Sequence, residues 1–234
     1  MSIAENLAAI RDRMARAAVR AGRGPANVAL MAVTKTQSAE RIQEAYDAGQ
    51  RLFGENRVQE FADKYRAMSR LAGAEFHMIG HLQSNKAGKA VDLFPAIDSV
   101  DSAKLAARLN TAALEAGKRL HVLIEINVGG EAAKTGVPPE AAELESMLAE
   151  APSWPQLRIR GLMTVPPFTE DPEGARCYFR QLRELRDRLA ARNLPGIALD
   201  QLSMGMSHDF EVAIEEGSTC VRIGTAIFGE RTTR

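Results

Sequence analysis

Lys35 ends an uncharged, mostly apolar run, Val28-Ala29-Leu30-Met31-Ala32-Val33-Thr34. The run is short and rich in aliphatic and β-branched side chains, the pattern of a buried strand. Side chains alternate along a strand, so Lys35 falls on the face of Val33 and Met31. An ammonium at the end of a buried strand is costly to desolvate. A lysine held there loses its proton readily and can condense with an aldehyde. The same residues also fit a lysine that reaches out to solvent at the strand's mouth.

Near the other end of the chain, two small-residue turns could cradle an anion. Ser203-Met204-Gly205-Met206-Ser207 leads into a helical pattern with Ser207 as its expected N-cap, and Gly224-Thr225-Ala226-Ile227-Phe228-Gly229 follows a strand pattern. Free N–H groups and hydroxyls at such turns favour negative charge. Ordinary glycine turns with capping serines would look the same. Between the turns, Arg222 shares a face with Cys220 and Gly224, which aims its guanidinium away from the helices. It can only donate hydrogen bonds, whether to a ligand or in an ion pair with Glu125.

Other polar residues offer less. His77 and His81 are four residues apart on a strand-to-turn segment with no third ligand nearby, so no metal site is expected. His121 reads as a strand-edge residue and His208 as lying in a helix's first turn. Tyr46, Tyr65 and Tyr178 all fall in helical patterns, away from strand ends.

Positioning Lys35, Arg222 and the turns together requires a fold that gathers strand ends. Strand patterns occur at 28–35, 52–55, 75–79, 96–100, 120–128, 158–164, 199–203 and 220–224. Amphipathic helical patterns separate them, at 38–48, 58–71, 84–91, 102–116, 139–149, 172–191 and 207–216. A first helix spans 3–20, with Ser2 and Glu5 as a capping box and Arg23-Gly24-Pro25 as its stop. The alternation predicts an α/β fold, a (β/α)8 TIM-type barrel with an additional N-terminal helix, in one domain over 1–234. An open doubly wound sheet competes, but no Gly-x-Gly-x-x-Gly follows the first strand. In a barrel the loops after the seventh and eighth strands are the usual phosphate site. The two turns lie there.

Thirty basic and thirty acidic residues cancel, giving no electrostatic reason for a nucleic-acid or membrane partner. No secretory signal or membrane-length apolar run is visible. Cys177 and Cys220 read as small buried core residues of a protein in a reducing compartment, the cytoplasm. No long strand edge or heptad seam is present, so a monomer is expected.

A strand-end lysine, a glycine/serine cradle and an inward arginine are the parts needed to hold pyridoxal 5′-phosphate (PLP). Ala32-Val33-Thr34-Lys35-Thr36, Phe53-Gly54-Glu55-Asn56 and Gly80-His81-Leu82-Gln83-Ser84-Asn85-Lys86 closely resemble the pyridoxal phosphate homeostasis proteins. So do Gly161-Leu162-Met163, Leu202 to Ser207 and Val221 to Gly229, in order and over nearly the whole chain. Thr34, where many members carry Ser, is the visible departure and changes no charge.

The resemblance implies a fold type III barrel similar to the N-terminal domain of alanine racemase. It implies PLP bound to Lys35 as a Schiff base. Ser203, Gly224 and Thr225 would hold the phosphate, helped by backbone around Met204, Gly205 and Ser207. Arg222 would face the pyridine nitrogen, and Asn56 and Met206 would line the ring. The function implied is intracellular PLP homeostasis, buffering the cofactor or delivering it to PLP-dependent apoenzymes without ordinary turnover. An arginine at the ring nitrogen disfavours its protonation and weakens the electron sink. Racemase relatives take an opposing tyrosine from an additional C-terminal domain, for which a chain stopping at Arg234 leaves no expectation. The alternatives are a small PLP-dependent amino-acid racemase using His81 or Asn56, and a phosphosugar aldolase whose Lys35 attacks its substrate directly. Lys86, Lys89 and Lys104, near the rim, are expected to be solvated helix charges, with a role as secondary aldehyde sites during hand-off as the alternative.

Overall fold

Apolar runs alternating with amphipathic ones bury themselves here by closing the sheet on itself. In this computed structural model eight parallel strands form a closed barrel in chain order. The structure describes residues 1–131 and 134–229, so the expected domain end at Arg234 lies outside it. The strands are β1 Ala29–Val33, β2 Leu52–Glu55, β3 Glu75–Met78, β4 Ala96–Val100, β5 Leu120–Glu125, β6 Leu157–Met163, β7 Ile197–Ser203 and β8 Cys220–Ile223. The helices are α1 Ile3–Arg20, α2 Ala39–Asp47, α3 Val58–Met68, α4 Ala87–Leu93, α5 Ala103–Glu115, α6 Ala142–Glu150, α7 Arg176–Ala190, α8 Phe210–Glu215 and α9 Thr225–Phe228.

The expected (β/α)8 barrel and its N-terminal helix are both present, and several boundaries move. α1 carries the capping box: Glu5 N–H donates to Ser2 Oγ at 3.2 Å, and Ser2 N–H to Glu5 Oε2 at 2.7 Å. Its stop comes earlier than Arg23-Gly24-Pro25, at Ala21 and Gly22. α1 buries Ile3, Leu7, Ile10 and Met14, each worth about 1.5–3 kcal/mol of apolar burial. It packs on α8 and α9, where Asn6 Nδ2 donates to Ile227 O at 2.8 Å. Four phenylalanines fill part of the layer between barrel and helices. Phe53 stacks on Phe76 at 4.9 Å, while Phe61 meets Phe76 at 4.9 Å and Phe94 at 4.7 Å.

The cysteines depart from expectation. Cys177 is exposed, because the buried stripe of α7 runs through Phe179, Leu182, Leu185 and Leu189 and leaves position 177 off that face. Cys220 points into the barrel from β8 and lines a cavity at its amino-terminal end, where burial pushes its thiol up to about 12. Among the described residues no helix is long and apolar enough to cross a membrane.

That cavity, of about 420 Å³, also reaches His77 and Asp98. His77 Nδ1 lies 3.2 Å from Asp98 Oδ1, and Nε2 lies 3.7 Å from Glu75 Oε2. Burial opposes charge on the ring, but the Asp98 and Glu75 carboxylates outweigh it and push His77 up to about 9. A raised histidine stabilises the fold fully below its unfolded value near 6.5, and that contribution is lost as pH rises through about 9. Urea unfolding at pH 6 and pH 9.5 should therefore show the parent losing up to roughly 3 kcal/mol more than His77→Gln. Equal losses in the two proteins would refute the pairing.

Candidate functional site

The barrel's carboxyl end is built from the residues that follow β1, β2, β7 and β8. β1 stops at Val33, two residues short of the expected strand end, because Thr36 takes a left-handed φ of 64° and turns the chain. Thr34 faces the helix layer, its hydroxyl donating to Glu55 Oε1 at 2.6 Å. Lys35, the next residue, enters a cavity of about 340 Å³ at the barrel mouth. Six of the seven expected site residues line it: Lys35, Asn56, Met206, Arg222, Gly224 and Thr225. Val33, Ile79, Val165, Ser207 and His208 complete the wall.

Ser203 is the exception. It is fully buried below the cavity floor and accepts Arg222 Nη1–H at 2.8 Å. Its hydroxyl accepts from the guanidinium and does not line this cavity. Arg222 Nη2 donates to the Thr164 carbonyl at 2.7 Å. The alternative ion pair with Glu125 does not form: Glu125 accepts the Thr135 hydroxyl at 2.8 Å. Burial lowers the Arg222 pKa, with Cys220 and the carboxylates of Asp98, Glu125 and Asp209 acting against that shift. A guanidinium so placed stays charged.

The two turns meet through Ser207. α8 begins at Phe210, so Ser207 is not its N-cap as expected. Asp209 instead accepts the Met206 N–H at 2.7 Å and closes the turn, which leaves the Ser207 hydroxyl to cross to the other loop. There it accepts Gly224 N–H at 3.3 Å and Ala226 N–H at 3.4 Å. These are long contacts, from donors able to turn to a stronger acceptor. Gly205 makes the crossing possible. Its φ is 95°, and a Cβ there would lie 2.5 Å from Ala213 Cβ. Beside it His208 bonds through Nε2 to Glu170 O at 3.0 Å, and its ring lies 5.4 Å from that of the exposed Phe168.

The cavity gathers one primary amine, one buried cation, two hydroxyls and backbone donors. That set suits a ligand carrying both an electrophilic carbon and an anion. The family model for the alanine racemase N-terminal domain matches residues 6–232. The pyridoxal phosphate homeostasis protein of Aquifex aeolicus (strain VF5) is 47% identical over 231 residues, covering 99% of each chain. That of Escherichia coli (strain K12) is 45% identical over 236 residues, covering 98% of this chain and 97% of its own.

The chain belongs to the pyridoxal phosphate homeostasis protein family.

Among solved structures, PipY of Synechococcus elongatus PCC7942 with PLP bound is 39% identical, with a TM-score of 0.84, and the match covers 97% of this chain and 100% of that one. The alanine racemase of Clostridium difficile 630 shares the fold alone, at 14% identity and a TM-score of 0.73, over 99% of this chain and 57% of that one.

The family resemblance of the motifs did not reveal three features. Ser207, and not Ser203, lines the cavity; an aspartate two residues after a serine was the available sign of the closed turn. The wall positions of Val165 and His208 left no mark in periodicity, since both lie on loops. Lys86, Lys89 and Lys104 lie outside this cavity: Lys86 borders a separate hollow beyond Asn56, Lys89 donates to Gln59 at 2.7 Å, and Lys104 lines a groove with Arg108.

Gly205→Ala forces a Cβ into α8 at a strained φ, so urea denaturation should show a loss of about 2–4 kcal/mol. Ser207→Ala removes two long hydrogen bonds and should lose about 1 kcal/mol or less.

Proposed function

We propose that this family member binds PLP through Lys35 and serves as a carrier, buffering the reactive cofactor and delivering it to apoenzymes without turnover of its own. The observation that carries the reading is the convergence of Lys35, Arg222 and the Ser207–Gly224–Thr225 turn on one cavity. The donor set fits the cofactor. A phosphate matches the hydroxyls of Ser207 and Thr225 with the amides of Gly224 and Ala226, and the cavity volume is that of a small-molecule site. Asn56 and Met206 lie where a ring between amine and cradle would be flanked.

When bound, the cofactor supplies an aldehyde carbon and an electron-withdrawing ring. Lys35 supplies the amine that condenses with that carbon. Arg222 would present a fixed positive charge to the ring nitrogen, donating hydrogen bonds without giving up a proton. Ser203 acts through Arg222, orienting it, and Thr164 does the same through its carbonyl. None of the three tyrosines lines the cavity, so the wall offers no phenol opposite Lys35. Cys177 and Cys220 are free thiols, which suits the cytoplasm.

Purified protein incubated with PLP should show the visible absorption of a lysine-bound cofactor. Borohydride should fix it on Lys35, and Lys35→Ala should lose both. Arg222→Gln should weaken binding about tenfold. Amino acids should exchange no α-proton with solvent above background, and an apoenzyme should acquire cofactor faster than it dissociates into solution. Proton exchange over many turnovers would replace the carrier with a small racemase. Trapping by borohydride only with an added sugar phosphate would replace the cofactor reading altogether.

A further inference from the structure

The turn that presents Lys35 is held from behind by a buried ionic cluster. Thr36 has a φ of 64°, a conformation that a β-branched residue keeps only when its surroundings impose it. On α3, Lys64 places its Nζ 3.1 Å from Thr34 O and 3.3 Å from Gln37 O, the carbonyls that bracket Lys35 and Thr36. The same ammonium lies 2.8 Å from Glu55 Oε1 and 3.4 Å from Glu60 Oε1. Glu60 Oε1 accepts the Thr36 N–H at 2.5 Å, and Glu55 Oε1 accepts the Thr34 hydroxyl at 2.6 Å. Thr34, Thr36 and Gln37 are thus each tied at backbone or hydroxyl.

None of the three charged residues lines the cavity. Glu55 and Thr34 face the helix layer, on the opposite side of the sheet from Lys35. The cluster holds the backbone of the turn on both sides of Lys35. Nor is it built for stability. Glu55 is fully buried, its Oε2 has no hydrogen-bond partner, and the Lys64 side chain is 11% exposed. A buried charge pair with an unsatisfied oxygen is replaceable by apolar packing at little or no cost in stability. Its contribution is directional.

We infer that Lys64, Glu55 and Glu60 form a positioning clamp that fixes where Lys35 presents its amine and thereby sets how tightly an aldehyde is held there. The inference rests on Lys35 being the amine that carries the cofactor. It predicts that releasing the turn lets the lysine leave the cavity while the barrel stays intact.

The test uses the full-length protein. Lys64→Met combined with Glu55→Gln removes both charges at once and leaves no lone buried ion. Glu60→Ala cuts the Thr36 N–H contact from a partly exposed position, where folding is not at risk. Two quantities are measured in each: PLP affinity, and the acetylation rate of Lys35 by acetic anhydride in cofactor-free protein, relative to Lys104. The double variant should bind PLP at least tenfold more weakly, and its Lys35 should label several-fold faster as the amine escapes. Glu60→Ala should move both readouts by about threefold. Lys64→Arg, which keeps the charge and the donors, should restore most of the parent's affinity.

Variants that unfold like the parent, bind PLP equally well and label Lys35 at the parent's rate would overturn the clamp. If the double variant does not fold, Glu60→Ala alone decides, by the same criteria. A parent that never takes PLP onto Lys35 would sink the functional reading instead, and the labelling rates would still judge the clamp.

Discussion

The site exists because the first and last strands of the barrel are hydrogen-bonded to each other. The β1–β8 ladder sets Met31 beside Arg222 and Ala32 beside Ile223. One residue further along, a Cβ on Gly224 would lie 3.5 Å from Val33 Cβ. An amine near the start of the chain and an anion cradle near its end are thus brought together by the register of one parallel pair. A slip of one residue would turn Arg222 into the helix layer and Val221 into the barrel. α1 reinforces this seam from outside, since it packs on α8, which follows the first cradle turn, and on α9, which forms the second. The bidentate pair between Arg13 and Glu211, at 3.2 and 2.8 Å, adds a partly exposed tie of the kind that contributes little.

Arg222 shows how the seam is made useful electrostatically. Its guanidinium donates to a hydroxyl and a carbonyl, from Ser203 and Thr164, and among the described residues no carboxylate hydrogen-bonds to it. A direct ion pair with Glu125 would have cancelled the field at the cavity. Neutral acceptors leave it standing, aimed at whatever anionic or electron-rich atom occupies the site. The carboxylates inside the barrel lie elsewhere. Asp98 is paired with His77 toward the amino-terminal end, and Glu125 is held by Thr135, its charge disfavoured by burial. The barrel axis is therefore layered, with the His77–Asp98 pair at one end and, under the other, a guanidinium hydrogen-bonded to neutral acceptors.

Much of this was legible in the sequence where geometry leaves little choice. Strand alternation alone sent Lys35 and Arg222 inward, because a period of two admits only two faces. The eight apolar runs gave the barrel, and Ser2 with Glu5 gave the start of α1. What could not be read was set by contacts across the fold or by local torsions that the residue types do not announce. Threonine gives no warning of the left-handed turn at Thr36. Serine at 203 and serine at 207 look alike in the strand and turn pattern, and only the fold shows that Ser207 lines the cavity while Ser203 is buried against Arg222. Cys177 was misread because a small apolar residue on a helix is buried only in the right phase. The partner of Glu125 depends on a loop ten residues away, Thr135, and not on the strand pattern.

The arrangement also bears on why a cofactor site of this kind would hold and release and not turn over. Moving a proton on and off a substrate carbon from two faces needs two groups that exchange protons, one on each side. Of the side chains on the cavity wall, Lys35 and His208 carry the groups that can serve as general acid or base. His208 Nε2 is bonded to the Glu170 carbonyl and its ring lies against Phe168, so reaching the cavity centre would mean breaking both contacts. Arg222 cannot serve, and Asn56, Ser207 and Thr225 have no suitable pKa. Under the proposed reading one amine is left to make and break a single bond, with a cradle to retain the phosphate meanwhile. Release would then need a competing amine to displace Lys35 from the cofactor's aldehyde carbon, returning Lys35 as the free amine. On that reading, the rate of exchange would depend on how firmly the turn at Thr36 holds Lys35 in place.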